Sequence, residues 1–242
     1  MANRNEQSVF GHLEEMRGRI IRTLIAFLVS MTASFIYVRD IYHWLVRGMD
    51  KQLVVLGPSD VMWVYLMISA VVATAVTIPV AAYQVWRFVQ PAVPKEAQRA
   101  TLIFIPSLTV LFLIGIAFGY FVLFPMVLHF MNQIAEKDFT TMYTAEKYFT
   151  FMIHMTVPFG LLFEMPAVVM FLTKLGIVNP ARLAKARKLA YFLLVIIAVT
   201  ITPPDILSDL VVIVPLILLY EISITISRVV YRKQVKASVD ST

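Results

Sequence analysis

The chain has 242 residues, 60% of them hydrophobic and only 15% charged, with 21 Lys and Arg against 15 Asp and Glu for a formal charge of +6. A bilayer span takes about 20 apolar residues, so six would use about half the chain, and a water-soluble globular protein is excluded. The lack of cysteine removes disulfides, thiolate metal sites and a cysteine nucleophile together.

The first nineteen residues hold three Arg and three Glu, with no short apolar core before a small-residue cleavage site, so no removable signal peptide is expected. Backbone groups in lipid must bond within their own segment, which makes every long apolar stretch a helix. Spans are expected at about residues 20–38, then 61–82 after the turn Gly57-Pro58-Ser59-Asp60, then 101–124 and 149–172. A fifth fits only between Lys188 and Asp205 and a sixth between Asp209 and Arg228, both shorter than the ~30 Å hydrocarbon thickness. Two outer loops carry apolar residues at helical spacing, Ile41, Trp44, Leu45 and Met49 in one and Val127, Phe130, Met131 and Ile134 in the other. Each predicts a short helix lying in the interface. The fold class is therefore all-α: a polytopic membrane protein of six helices, the last two short, in one domain over 1–235 with a polar tail at 236–242. Prolines at 79, 106, 125, 158, 166 and 215 bend these helices and point to a concave bundle.

Sixteen Lys and Arg fall on the side of the termini and five on the other, so the positive-inside rule puts both termini in the cytoplasm. The positive excess suits loops that face anionic lipid, and no nucleic-acid-binding motif is present.

Glu164 lies near the middle of the fourth span, where a charge costs roughly 2.5–3.5 kcal/mol, so it needs a polar partner, water or a proton. Two readings stand: a polar locus facing a cavity, or a protonated carboxyl bonded to a neighbouring helix. Glu221, within about two turns of Arg228, reads as structural. On the cytoplasmic side Glu6, Glu14, Glu15, Glu96 and Asp240 stand among sixteen basic residues and are natural sites for a cationic ligand. Glu15 has a plainer alternative in an i,i+4 pair with Arg19, and Glu96 in a favourable early-turn position on the third span. Asp205 and Asp209 flank Thr202-Pro203-Pro204, a tight outer hairpin. The histidines His12, His43, His129 and His154 form no ligand pair, and no Ser-His, paired-aspartate, HExxH or phosphate-binding loop occurs, so neither enzyme chemistry nor a cofactor is called for.

These landmarks, in this order, resemble the twin-arginine protein translocase subunit TatC family. His12-Leu13-Glu14-Glu15-Met16-Arg17 is similar to the family's H-L-x-E-L-R, and Phe88-Val89-Gln90-Pro91-Ala92-Val93-Pro94-Lys95-Glu96 to F-x-x-P-[GA]-L-Y-x-x-E. Phe163-Glu164-Met165-Pro166, Thr202-Pro203-Pro204-Asp205, Pro215, Tyr220-Glu221-Ile222 and Ser227-Arg228 continue the match. The chain departs from it at Met16, at Val93-Pro94, and at Ala97-Gln98 where a basic pair is usual. The resemblance implies a signal-peptide receptor and translocase core in the bacterial plasma membrane, exporting folded proteins under the proton-motive force.

It also implies roles. Glu15 and Glu96 look like the acids that contact paired arginines, with Arg17, Phe88 and Pro91 shaping that surface. Glu164 looks like the family's intramembrane acid. Thr202, Pro203, Pro204, Asp205 and Glu221 look like the region where single-span TatA/TatB-type partners contact the last spans. Membrane lipids, folded preproteins and further copies of the chain complete the implied partners. A carboxylate accepts a guanidinium in two bonds and an ammonium in fewer, so two acids would select Arg over Lys. The rival reading is a secondary transporter or ion channel, for which a midplane acid and broken helices are ordinary.

Overall fold

The computed structural model describes residues 2–47, 53–90, 104–135, 141–202 and 206–239, with side chains placed at 14–47, 53–90, 105–135, 141–202 and 208–233. Helices dominate: α1 (Ala2–Ile36), α2 (Val38–Leu45), α3 (Pro58–Val89), α4 (Phe104–Phe118), a π-helical segment (Gly119–Leu123), α5 (Phe124–Ala135), α6 (Ala145–Phe163), α7 (Met165–Lys174), α8 (Pro180–Lys185), α9 (Arg187–Ile201) and α10 (Ile206–Val239). Among the described residues, five segments are long and apolar enough to cross a bilayer: Glu14–Ile36, Pro58–Val89, Ile105–Ala135, Ala145–Lys174 and Ser208–Lys233. The protein is thus an all-helical, multi-pass membrane protein.

The chain forms two compact units, residues 1–109 and 110–242. In the first, α1 packs along α3, and α2 folds against α3 through an edge contact of Tyr42 on Tyr65 at 6.1 Å between ring centroids. Local sequence fixes the start of α3. Pro58 sits at its first turn with φ already helical, and the Asp60 carboxylate accepts from the backbone N–H of Leu56 and Gly57, each at 3.1 Å. The short helix expected from Ile41, Trp44 and Leu45 is α2, while Met49 lies outside the described residues.

In the second unit the hydrophobic effect does not separate core from lipid, so close packing and buried hydrogen bonds carry the association. Leu123, Phe159, Leu194, Ala198, Val212, Leu216 and Ile224 form its core. Small residues set the crossing of α4 and the π-segment on α6. A Cβ on Gly115 would stand 2.5 Å from Phe159 O, and one on Gly119 2.7 Å from Thr156 Cα. The Thr173 and Ser227 hydroxyls share a buried hydrogen bond of 2.7 Å that ties α7 to α10.

Two expectations are corrected. The last helix is not short: α10 runs 34 residues, because Arg, Lys and Gln sustain a helix well past the apolar stretch that the sequence bounds. The helix expected at Val127–Ile134 is not separate, since α5 continues the third span through the π-segment, which accommodates Pro125 within one unbroken run. The fourth expected span is the single crossing segment Ala145–Lys174, broken where α6 and α7 meet at Glu164, as a proline within it predicts. Where a short fifth span is expected, α9 has 15 residues, about 22 Å, and is not among the five crossing segments.

Candidate functional site

Four places hold polar groups where an apolar chain has few. The first is the basic end of α1 in the first unit. Glu15 sits on an exposed helical face and accepts a hydrogen bond from Arg19 Nη2, the i,i+4 pair that the spacing allows. Arg19 does more than pair. It donates to Gln84 O at 3.3 Å and Arg87 O at 3.2 Å, so its charge satisfies carbonyls in the last turns of α3, where the helix dipole favours a cation. The Glu15 carboxylate is thereby held beside the C-terminal end of α3. Glu15 remains 41% exposed, so its ion pair contributes about 1 kcal/mol or less and an incoming guanidinium can share the carboxylate cheaply. Arg17 is exposed on the same turn. Phe88 stands at the other side of the contact, lining with Met16, Arg19 and Ile20 one end of a groove of about 610 Å³ between α1 and α3. Glu96 and Pro91 lie outside the described residues.

The second place is Glu164. Pro166 has no N–H to give Leu162 O, and its ring crowds that carbonyl, so the α6 ladder stops. Glu164 caps both helices: its N–H donates to Leu161 O at 3.2 Å and its carbonyl accepts from Val168 N at 2.9 Å. The side chain has a buried Oε1 with no hydrogen-bond partner among the described residues. An unsatisfied carboxyl oxygen at this break is a group that a proton, water or a polar partner would satisfy.

The third place is Glu221. Arg187 meets it as a fork, Nε to Oε1 and Nη2 to Oε2, both at 2.7 Å, and Tyr191 OH donates to Oε1 at 2.5 Å. Tyr220 OH donates to Leu183 O at 3.0 Å and stacks edge-on against Tyr191, so the cluster joins α8, α9 and α10. This is the structural reading of Glu221, with a partner from the preceding helix rather than Arg228. Two parallel charge-assisted bonds fix the α9–α10 register as an ammonium cannot.

The fourth place is the end of α9 at Thr202, beside the first turns of α10. Thr202 is buried and its hydroxyl lies 2.9 Å from Ala198 O and within hydrogen-bond reach of the Asp209 carboxylate, serving one acceptor at a time with its single proton. Pro203, Pro204 and Asp205 lie outside the described residues.

Sequence reasoning missed Arg19 as the group that ties Glu15 to α3, Arg187 and Tyr191 as the partners of Glu221, and Asp209 as the partner of Thr202. One signal was available for Arg187. A lone acid inside an apolar helix calls for a cation at the same depth, and Arg187 opens the neighbouring helix α9.

Residues 11–215 match the family model described as Sec-independent protein translocase protein (TatC). The chain is 55% identical over 234 residues to the Sec-independent protein translocase protein TatCd of Bacillus subtilis (strain 168), covering 97% of each. To TatCy of the same organism it is 41% identical over 238 residues, 97% of this chain and 94% of that one. Its fold is similar to a crystal structure of the twin-arginine translocase receptor TatC, with a TM-score of 0.79 and 31% identity over 90% of this chain and 99% of the other.

Proposed function

The chain belongs to the TatC family of Sec-independent protein translocase proteins, and from that premise we propose that it is the receptor of its translocase for twin-arginine signal peptides. It is a core subunit of the Tat machinery. In the proposed arrangement it lies in the bacterial plasma membrane with six spans, α9 being the short fifth, and both termini in the cytoplasm. The sixteen-to-five distribution of basic residues supports that orientation. It acts without catalytic chemistry of its own and draws on the proton-motive force. Its partners are signal peptides of folded preproteins, single-span TatA/TatB-type subunits, lipids and further copies of itself.

The observation that carries the reading is Glu15, an exposed carboxylate already engaged by a guanidinium at the basic end of α1. Glu15 and Glu96 receive the paired arginines, with Arg17, Phe88 and Pro91 around them. Arg19 is an internal stand-in for the peptide's guanidinium: it holds Glu15 in place when no peptide is bound and keeps its two α3 carbonyls when one arrives. Glu164 is the polar locus along the route, and the hairpin from Thr202 to Asp205 with Glu221 meets the single-span partners. Photo-crosslinking of a signal peptide tests the assignment. Glu15→Gln and Glu96→Gln are each expected to weaken crosslinking while the peptide's Leu-rich core still partitions to the membrane; full crosslinking in both would overturn it. The unsatisfied Glu164 is also what a transporter would show, and small-solute flux through the purified chain in liposomes would favour that rival.

A further inference from the structure

The exposed positions of α6 are Lys147, His154 and Leu161, each seven residues from the next. Leu161 needs no partner in lipid, but His154 does. The crossing segment Ala145–Lys174 has its centre between residues 159 and 160, which places His154 about 8 Å from the midplane and inside the ~30 Å hydrocarbon layer. Its imidazole has no hydrogen-bond partner among the described residues. Pro158, four residues on, has no N–H to give, so the His154 carbonyl also lacks its helical donor. One residue therefore turns both a donor and an acceptor toward lipid tails that satisfy neither. Ionisable side chains at such depth face protein or water. At the end of the same stripe Glu146 and Lys147 stand side by side in the first turn of α6, opposite in sign and outside any ion pair among the described residues.

Both sets of groups are complementary to themselves. A second copy in the same membrane orientation, related by a two-fold axis along the membrane normal, brings each Glu146 against the other copy's Lys147. The same rotation lets each His154 ring donate to the other copy's freed carbonyl, so that one contact satisfies all four groups. The seven-residue spacing is the repeat that two helices share when they cross at a shallow left-handed angle. We propose that the Lys147–His154–Leu161 stripe is the face by which two copies of this chain associate within the membrane. The stripe gives a place to the self-association in the proposed function and rests on that part of it, not on peptide recognition.

Disulfide crosslinking of the full chain, purified and reconstituted in liposomes without peptide or other subunits, tests the face. Leu161→Cys, oxidised with copper phenanthroline, is expected to give a linked dimer, because a two-fold axis sets a residue opposite its own copy. Phe192→Cys on α9, 62% exposed, should give at least about tenfold less. Adding His154→Leu to Leu161→Cys should weaken dimerisation about tenfold in a lipid-dilution series, as the loss of two intramembrane hydrogen bonds implies, while circular dichroism finds the chain as helical as before. Glu146→Lys and Lys147→Glu each make the end of the stripe repel its own copy, so each alone should crosslink less and an equal mixture of the two should recover, which a folding defect would not allow. Equal crosslinking at positions 161 and 192, undiminished dimerisation in His154→Leu, or a mixture no better than its parts would each overturn the proposal. So would a Leu161→Cys chain that stays monomeric, which leaves the face to lipid, or one that crosslinks only to an added single-span subunit. No arm contains a signal peptide, so loss of arginine recognition in Glu15→Gln leaves these outcomes unchanged and the two readings fail separately.

Discussion

Gly115→Ala tests the close crossing of α4 on α6. The new Cβ would meet Phe159 O at 2.5 Å and Gly160 Cα at 2.8 Å, both backbone atoms that no rotamer change can move aside. Ordinary contact begins at 3.4 Å, so α4 and α6 must part locally by 0.9 Å, the difference between 3.4 and 2.5. Overpacking of this kind costs about 1–3 kcal/mol. Alanine also gains about 1 kcal/mol over glycine in any helix interior, which would mask part of the cost. Gly18→Ala in α1 removes that ambiguity, because nothing lies within 4 Å of its Cβ and it reports the propensity gain with no collision. The difference between the two variants therefore isolates the packing cost. At about 2–4 °C per kcal/mol for a chain of this size, Gly115→Ala should lose its helical signal about 2–12 °C below Gly18→Ala in the same detergent. Gly160→Ala should fall between them, since its Cβ meets the movable ends of Phe112 and Ile116. Coincident melting of Gly115→Ala and Gly18→Ala would refute the reasoning.

Other predictions follow from the polar groups. Glu164→Gln keeps a hydrogen-bonding group at the kink and should retain more export activity than Glu164→Leu; equal export by both would remove the polar-locus reading. Arg187→Lys cannot reproduce the fork on Glu221, so it should lower thermal stability, and the exchange Arg187→Glu with Glu221→Arg should recover part of the loss, whereas additive losses would show that the pair does not act as a unit. Single cysteines placed in each loop of this cysteine-free chain should label from the cytoplasmic side near residues 4, 95, 185 and 236 and from the outer side near 51 and 137; labelling at 51 and 185 from the same side would overturn the six-span arrangement.

How much was legible in the sequence depended on which physical rule dominated each segment. Apolar length dictates helices in lipid, so the helices of the five crossing segments could be read directly. The amphipathic spacing of Ile41 and Trp44 likewise announced α2. Where one residue sets geometry over a distance, the linear pattern was silent. Pro166 announced a bend in the fourth span but not that Glu164 would cap both halves, and the π-segment that joins α4 to α5 leaves no mark in composition. The end of α10 was misplaced because hydropathy bounds the membrane, not the helix. Among the site residues, Glu15 and Arg19 were visible as an i,i+4 pair since both lie on one helix. The Arg19 contacts to Gln84 and Arg87 and the Arg187–Glu221 fork join residues 34 to 68 positions apart, and only the packing of the helices reveals them.

The most direct test of the receptor reading is a ratio. Binding of a paired-arginine signal peptide is measured against the same peptide with paired lysines, in the parent chain and in the Glu15→Gln/Glu96→Gln double variant. If carboxylate forks read the guanidiniums, the parent should prefer arginine by about tenfold or more and the variant by little or nothing. A preference that survives intact in the double variant would contradict the account.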